Sequence, residues 1–278
     1  MPGGTTMAER GGGPAAAAWP FDGLAAGYDE SFSRGAIGQL LRQAVWRRLD
    51  AAFAPGERVI ELGCGTGEDA VYLARRGVRV LATDASAAML ALARAKVESA
   101  GLAHAVELRR LAMEELAGEA GGAAPAFAPP FDGALCNFGG LNCVADLGGV
   151  AAALAACLRP GAVAALCVMG PLVPWEWAWF LGAGQPGRAL RRLRGAAPWR
   201  GLTIRYPSIG EMRRRFAPAF RLRRVAAVGA LLPPTFAEPW AARHPHLLRH
   251  LARWERRLEA CPPLPWLADH YLLELERR

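Results

Sequence analysis

The chain reads as an α/β fold, a parallel sheet covered by helices on both faces, and three observations predict it. Short apolar runs of strand length recur near residues 58–62, 78–83, 105–109, 132–136 and 162–168. Helical stretches near 68–76, 86–100 and 147–157 fall between them. The first run ends in an acid followed by three glycines at alternate positions, a strand turning into a helix through a tight loop. Strands that alternate with helices are joined by crossovers, which cover a parallel sheet on both sides.

Residues 1–18 are mostly Gly, Ala, Pro and small polar groups, hold no apolar run long enough for a signal peptide, and read as a disordered leader. An amphipathic helix over 37–53 places Leu40, Leu41, Ala44, Val45 and Leu49 at helical spacing and ends at Pro55-Gly56. The alternating core then runs to residue 170, with the Ala/Gly/Pro-rich piece 118–130 as a surface connection. Beyond it Trp175, Trp177, Trp179 and Trp199 fall in an arginine-rich stretch, 171–207, expected to be an inserted cap. A helix over 208–216, a strand over 220–231 and a closing strand over 268–276 complete the core. Near 233–265 a second insertion, rich in Pro, Trp and His, is expected to add helices to the cap.

With 278 residues and 53% hydrophobic content the chain can bury a full core, one large domain with an elaboration. No stretch approaches the roughly 20 apolar residues of a membrane-spanning helix, and a cytoplasmic location is expected. The six cysteines lack C-x-x-C spacing and read as small buried hydrophobes, and the five histidines do not group with them, so no metal is expected. The net charge of +8 is carried almost wholly by arginine, Lys96 being the only lysine. Twelve arginines and one acid, Glu211, lie between Arg188 and Arg224. Such a run could read phosphates, but solvated helix faces explain it more simply, and nucleic acid is not expected as a partner.

The most informative stretch is Val59-Ile60-Glu61-Leu62-Gly63-Cys64-Gly65-Thr66-Gly67-Glu68. Glycines let the backbone bend and approach a ligand, and the next apolar run ends in Asp84, placed to accept hydrogen bonds from ribose hydroxyls. A dinucleotide fingerprint, G-x-G-x-x-G, sets its third glycine one position later and leaves the turn uncharged for pyrophosphate. Here Glu61 and Glu68 flank the turn, which repels pyrophosphate and suits a ligand carrying an ammonium and a sulfonium.

Glu61-Leu62-Gly63-Cys64-Gly65-Thr66-Gly67 resembles motif I of the class I S-adenosylmethionine-dependent methyltransferases. Phe21-Asp22-Gly23-Leu24-Ala25-Ala26-Gly27-Tyr28-Asp29 is similar to the F-D-x-x-A-x-x-Y-D segment that precedes the domain in many small-molecule members. Phe131-Asp132-Gly133-Ala134-Leu135-Cys136-Asn137 resembles the fourth strand, and Leu158-Arg159-Pro160-Gly161 the turn before the fifth. The resemblance implies a Rossmann-like sheet of seven strands, mostly parallel, whose last strand lies antiparallel between strands five and six. It also implies S-adenosyl-L-methionine as cofactor, released as S-adenosyl-L-homocysteine, with no metal.

Residue by residue, the resemblance sets Glu61 near the methionine end of the cofactor, Tyr28 over its amino-acid end and Asp84 on the ribose. Gly63, Cys64, Gly65 and Gly67 form the turn, and Ala85, Ser86 and Met89 line the ribose wall. Asp84 can also cap the helix beginning at Ala85, a role compatible with ribose binding. Many relatives carry an Asp for the adenine amine where this chain has Ala112, leaving Met113 to pack on the ring and Glu114 to offer a carboxylate. Asn137 stands where the methyl group meets the acceptor. Asn142, Trp175 and Trp179 are candidates for acceptor binding, although Asn142 reads as well as a turn residue and the tryptophans as anchors of the cap. His244, His246, His250 and His270 are candidate bases, each read more simply as a surface or packing residue. The expected activity is methyl transfer to a small hydrophobic or aromatic molecule at oxygen or nitrogen. Transfer to RNA or protein, and cofactor binding without transfer, are the alternatives.

Overall fold

The computed structural model describes residues 19–30, 34–120 and 130–278. The expected leader, 1–18, and residues 121–129 of the expected surface connection lie outside the described residues. Seven strands, β1 (Arg58–Leu62), β2 (Arg79–Asp84), β3 (Val106–Arg110), β4 (Phe131–Cys136), β5 (Leu158–Met169), β8 (Phe220–Val228) and β9 (His270–Arg277), form one sheet in the order β3-β2-β1-β4-β5-β9-β8. The first five are parallel, and β9 pairs antiparallel with both β5 and β8. The closing arrangement is the one the sequence implied.

Successive strand residues face opposite layers, and β1 shows it: Val59 packs in one apolar cluster and Ile60 in the other. Helices α2 (Ala36–Ala52), α3 (Glu68–Arg75) and α4 (Ala87–Ser99) cover the Val59 face, below the short α1 (Ala25–Tyr28). Helices α5 (Met113–Ala120), α6 (Leu147–Cys157) and α9 (Ile209–Phe216) cover the Ile60 face. Their starts are fixed by side chains. Ser86 accepts from Met89 N at 3.1 Å, Asp146 from Gly148 N and Gly149 N at 3.0 Å each, and Ser208 from Glu211 N at 3.1 Å.

Between β5 and α9 the chain forms α7 (Pro174–Gly182), α8 (Pro186–Ala189), a 3-10 turn (Arg191–Arg194) and a separate hairpin of β6 (Ala196–Trp199) and β7 (Leu202–Arg205). The hairpin departs from the helical cap read from the sequence. Its two-residue turn uses Arg200 and Gly201, at φ +46° and +82°, the left-handed backbone that matches strand twist in tight hairpins.

Between β8 and β9 lie α10 (Glu238–Arg243) and α11 (Pro245–Leu258). Strand β8 stops at Val228 rather than near 231 because Gly229 turns the chain at φ +81°. The buried Glu255 of α11 then accepts the backbone N–H groups of Gly229, Ala230 (3.3 Å), Leu231 (2.8 Å) and Leu232 (3.0 Å). The two insertions meet through aromatic rings, Trp175 against Trp240 at 6.4 Å and Trp179 and Phe180 against Phe236 at 5.5 and 5.0 Å. No described helix is long and apolar enough to cross a membrane.

Candidate functional site

At the carboxyl ends of the parallel strands lies a cavity of about 440 Å³, inside the range of small-molecule sites. One wall is the glycine turn and the end of β2. Gly65 sits at φ +54°, and beyond its chain neighbours no atom of the described residues lies within 4 Å of where a Cβ would stand, so the backbone there is left open to a ligand. Gly67, at φ +78°, serves the fold instead: a Cβ would come within 2.9 Å of the Cβ of Ala93 on α4.

Asp84 bridges this wall, its Oδ2 accepting Gly65 N at 2.9 Å and its Oδ1 accepting Ser86 N at 2.8 Å. Burial raises the pKa of its carboxyl although these donors oppose the shift. Further hydroxyl donors from a ribose would relieve that burial. Glu61 is only 1% exposed, and its Oε2 has no hydrogen-bond partner. Burial, with Asp69 adding to it and Arg42 opposing, pushes its carboxyl well above the usual range. An orphaned buried carboxylate two residues before the turn is the group a ligand ammonium would answer. The open glycine, the Asp84 bridge and the orphaned Glu61 fit S-adenosylmethionine.

Asn137, at the end of β4, donates to Asp69 Oδ2 at 2.9 Å. Asp69, in the first turn of α3, also receives Trp46 Nε1 at 2.7 Å and pairs with Arg42 Nη1 at 2.8 Å. Phe138 follows at φ +45°, a left-handed backbone that costs a non-glycine residue about 1–2 kcal/mol. Its ring is held with the Arg42 guanidinium 5.1 Å above it and the His270 ring 5.4 Å away, edge on.

The opposite wall is a roof from two distant parts of the chain. The segment around α1 contributes Trp19, Phe21 and Tyr28, and the hairpin contributes Ala197, Pro198, Trp199 and Ile204. The two halves touch where Phe21 meets Trp199 at 5.2 Å. The first half is latched to the nucleoside wall: Asp22 accepts Ser86 Oγ at 2.5 Å and Trp19 N at 2.8 Å, and Asp29 accepts Thr66 Oγ1 at 2.6 Å and Lys96 Nζ at 2.8 Å. The hairpin is anchored by Asn142, whose Nδ2 donates to Arg205 O at 2.6 Å and Met169 O at 3.1 Å while its Oδ1 accepts Met169 N at 2.9 Å.

Of the residues selected from sequence, Tyr28, Gly63, Gly65, Asp84, Ala85, Met89, Met113, Glu114 and Asn137 come together around the cavity. Glu61, Cys64, Gly67 and Ser86 sit behind that wall. Other expectations are corrected. Asn142 is fully buried and spends its amide on backbone groups, so it holds the roof rather than an acceptor. Trp175 donates to Leu231 O at 3.2 Å and Trp179 packs on Phe236, which joins the insertions to each other outside the cavity. His244, His246 and His250 are exposed on and beside α11, and the buried His270 stands behind Phe138 beside Asp269. No histidine lines the cavity among the described residues.

Phe138, Cys143, Met169, Arg191, Trp199, Ile204 and Tyr206 line it without having been singled out. The short runs 196–199 and 202–205 around Arg200-Gly201 carry a hairpin signal, which would have pointed to Trp199. No group of three or more His, Cys, Asp or Glu side chains suited to a metal occurs among the described residues.

A parallel sheet with this closing hairpin, and a glycine turn facing the Asp84 carboxylate, make up the Rossmann-like fold of the class I S-adenosylmethionine-dependent methyltransferases. Residues 59–161 match the family model described as a methyltransferase domain. The chain is 37% identical over 113 residues to a ubiquinone biosynthesis O-methyltransferase of Hahella chejuensis, covering 41% of this chain and 43% of that protein. It is 30% identical over 150 residues to a tRNA 5-carboxymethoxyuridine methyltransferase of Escherichia coli, covering 52% and 54%. The matched part thus spans about half the length of these curated relatives. Among solved structures, an S-adenosylmethionine-dependent methyltransferase from Mesorhizobium loti superposes with a TM-score of 0.54 at 20% identity, over 84% of this chain and 98% of that one.

Proposed function

We propose that the protein transfers the methyl group of S-adenosylmethionine to a small molecule with an apolar or aromatic body. One observation carries the reading: a single cavity joins the Gly65–Asp84 wall to an aromatic roof of Phe21, Trp199 and Tyr206. When bound, the cofactor supplies the electrophilic methyl, so the protein's task is to orient two partners and exclude water. Asp84 holds the ribose, Glu61 answers the ammonium, Met113 and Glu114 face the base, and Tyr28 covers the amino-acid end. Asn137, fixed by Asp69, and Phe138, fixed by its neighbours, border the place where methyl and acceptor meet. We take residues 171–207 as a cap on a core running from 19 to 170, and we place the reaction in the cytoplasm, a reading supported by six unpaired cysteines.

The test is mass-spectrometric detection of a methylated product and of S-adenosyl-L-homocysteine when the purified protein is given the cofactor and a panel of phenols, amines and acids. An RNA acceptor is the competing reading, favoured by the tRNA-modifying relative and by the exposed Arg213, Arg214 and Arg215 of α9. It takes over if the protein binds tRNA with steep salt dependence and methylates it in preference to the panel. Cofactor binding in calorimetry with no methylated product from either source would leave a binding protein without transfer.

A further inference from the structure

We propose that the methyl acceptor is an anion, an aromatic or apolar acid whose carboxylate is received by Arg191. The inference rests on the methyltransferase reading and names the substrate class for the same cavity. Arg191 and Arg192 are neighbours on one 3-10 turn, and both reach Glu176 Oε1 at 2.7 Å. Their remaining donors differ.

Arg192 is 5% exposed and fully engaged. Its Nε donates to Glu176 Oε2 at 3.2 Å, its Nη2 to Glu176 Oε1 at 2.7 Å and Asp269 Oδ1 at 2.6 Å, and its Nη1 to the carbonyls of Gly170 and Asp269 at 3.2 and 3.0 Å. Burial works against its charge, but Asp269 and Glu176 more than restore it and raise its pKa. Arg192 is a structural tie between α7 and the start of β9.

Arg191 has one hydrogen bond, to Glu176, its guanidinium lies 5.7 Å from the centre of the Phe180 ring, its side chain keeps one-third of its surface, and its Nε is buried without a hydrogen-bond partner. It lines the cavity, where Arg192 does not. The other charged groups of the lining are Asp84 and Glu114, both acidic and both on the nucleoside side. Arg191 is thus the one cation among the described lining residues, and it stands with Trp199, Ile204 and Tyr206 on the roof side. A guanidinium offers its N–H groups as a planar fork, and a carboxylate matches that fork with two parallel bonds. The surrounding rings would cover an apolar body, and a neutral ester of the same body could not fill the fork.

The test titrates hydroxybenzoates and hydroxycinnamates, each beside its methyl ester, into protein saturated with S-adenosyl-L-homocysteine. In the wild type the acids should bind about tenfold or more tightly than their esters, the scale of a charge-assisted bidentate contact. In Arg191→Gln that preference should shrink to within about threefold while S-adenosyl-L-homocysteine affinity holds, and Arg191→Lys should restore part of it as a point charge. Equal binding of acids and esters by the wild type, no binding of any acid, or an undiminished preference in Arg191→Gln overturns the proposal. The wild-type comparison does not depend on any variant folding. Failure to bind S-adenosyl-L-homocysteine at all would instead overturn the methyltransferase reading.

Discussion

Two alanine substitutions in the same turn should fail in opposite ways. In Gly65→Ala the new methyl meets no protein atom within 4 Å, so the fold bears only the left-handed backbone at φ +54°, about 1–2 kcal/mol. In Gly67→Ala the same backbone cost at φ +78° is joined by a contact 2.9 Å from Ala93 Cβ and 3.2 Å from its Cα, which neither α3 nor α4 can relieve without moving. Overpacking of that kind adds about 1–3 kcal/mol, for a total of roughly 2–5 kcal/mol. Urea unfolding measures the first quantity, and calorimetric titration of S-adenosyl-L-homocysteine measures the second. Gly65→Ala should stay folded yet bind the product at least tenfold more weakly, because its methyl stands where the ligand approaches, a loss of about 1.4 kcal/mol or more. Gly67→Ala, where it remains folded, should bind within about threefold of wild type. Wild-type affinity in Gly65→Ala, or equal stability losses in the two variants, would refute the assignment of one glycine to the ligand and the other to helix packing.

Replacing Asp84 by Ala removes the acceptor for a ribose and unties Gly65 from Ser86, and titration of S-adenosyl-L-homocysteine should show a loss of about 1.5–3 kcal/mol, the scale of hydrogen bonds to a charged group. Asp22 is held below the ordinary carboxylate range, chiefly by the Ser86 hydroxyl and also by the N–H groups of Trp19 and Ala88. A depressed carboxylate gives its full contribution above its unfolded pKa, about 3.9, and loses it as pH falls through the lowered folded value. The stability difference between wild type and Asp22→Ala, measured by urea unfolding across pH, should therefore be flat near neutrality and close only in acid; a difference that vanishes near pH 6 would contradict the latch. Glu255→Gln leaves four backbone N–H groups sharing one amide oxygen, and thermal and urea unfolding should report a loss of about 1–3 kcal/mol.

The core was legible because its signals are local. Strand β1 and helices α3 and α6 begin where apolar runs meet glycines or capping acids a few residues away, and the Gly63–Gly67 turn with Asp84 is a contiguous motif. The roof was legible only in part because its contacts are long-range. Tryptophans clustered between 175 and 199 carry no mark of which way they face, and tertiary packing splits them: Trp175 and Trp179 join the insertions, whereas Trp199 reaches the cavity on a hairpin strand. Asn142 reads as a polar side chain near the acceptor until β7 is seen to need a partner for Arg205 O. Adjacent arginines, identical in type, separate into a saturated tie and a cavity-lining guanidinium with one hydrogen bond through the positions of Glu176 and Asp269, one of them 77 residues away.

The division between donor wall and roof is not complete, and the residues that cross it give it direction. Thr66 belongs to the glycine turn and Ser86 adjoins Asp84, yet both donate to the roof, to Asp29 and Asp22. Lys96 joins the same junction, pairing with Asp29 at 2.8 Å and with Glu68, the first residue of α3, at 2.5 Å. The first half of the roof is thus tied to the glycine turn and to the Asp84 wall, and it carries Phe21 to its contact with Trp199 on the second. The hairpin hangs from β5 through Asn142 and Met169 and does not touch the turn in this way. It can accordingly vary its cavity-lining side chains, Trp199 and Ile204, and its neighbour Arg191, without disturbing Asp84 or the glycines.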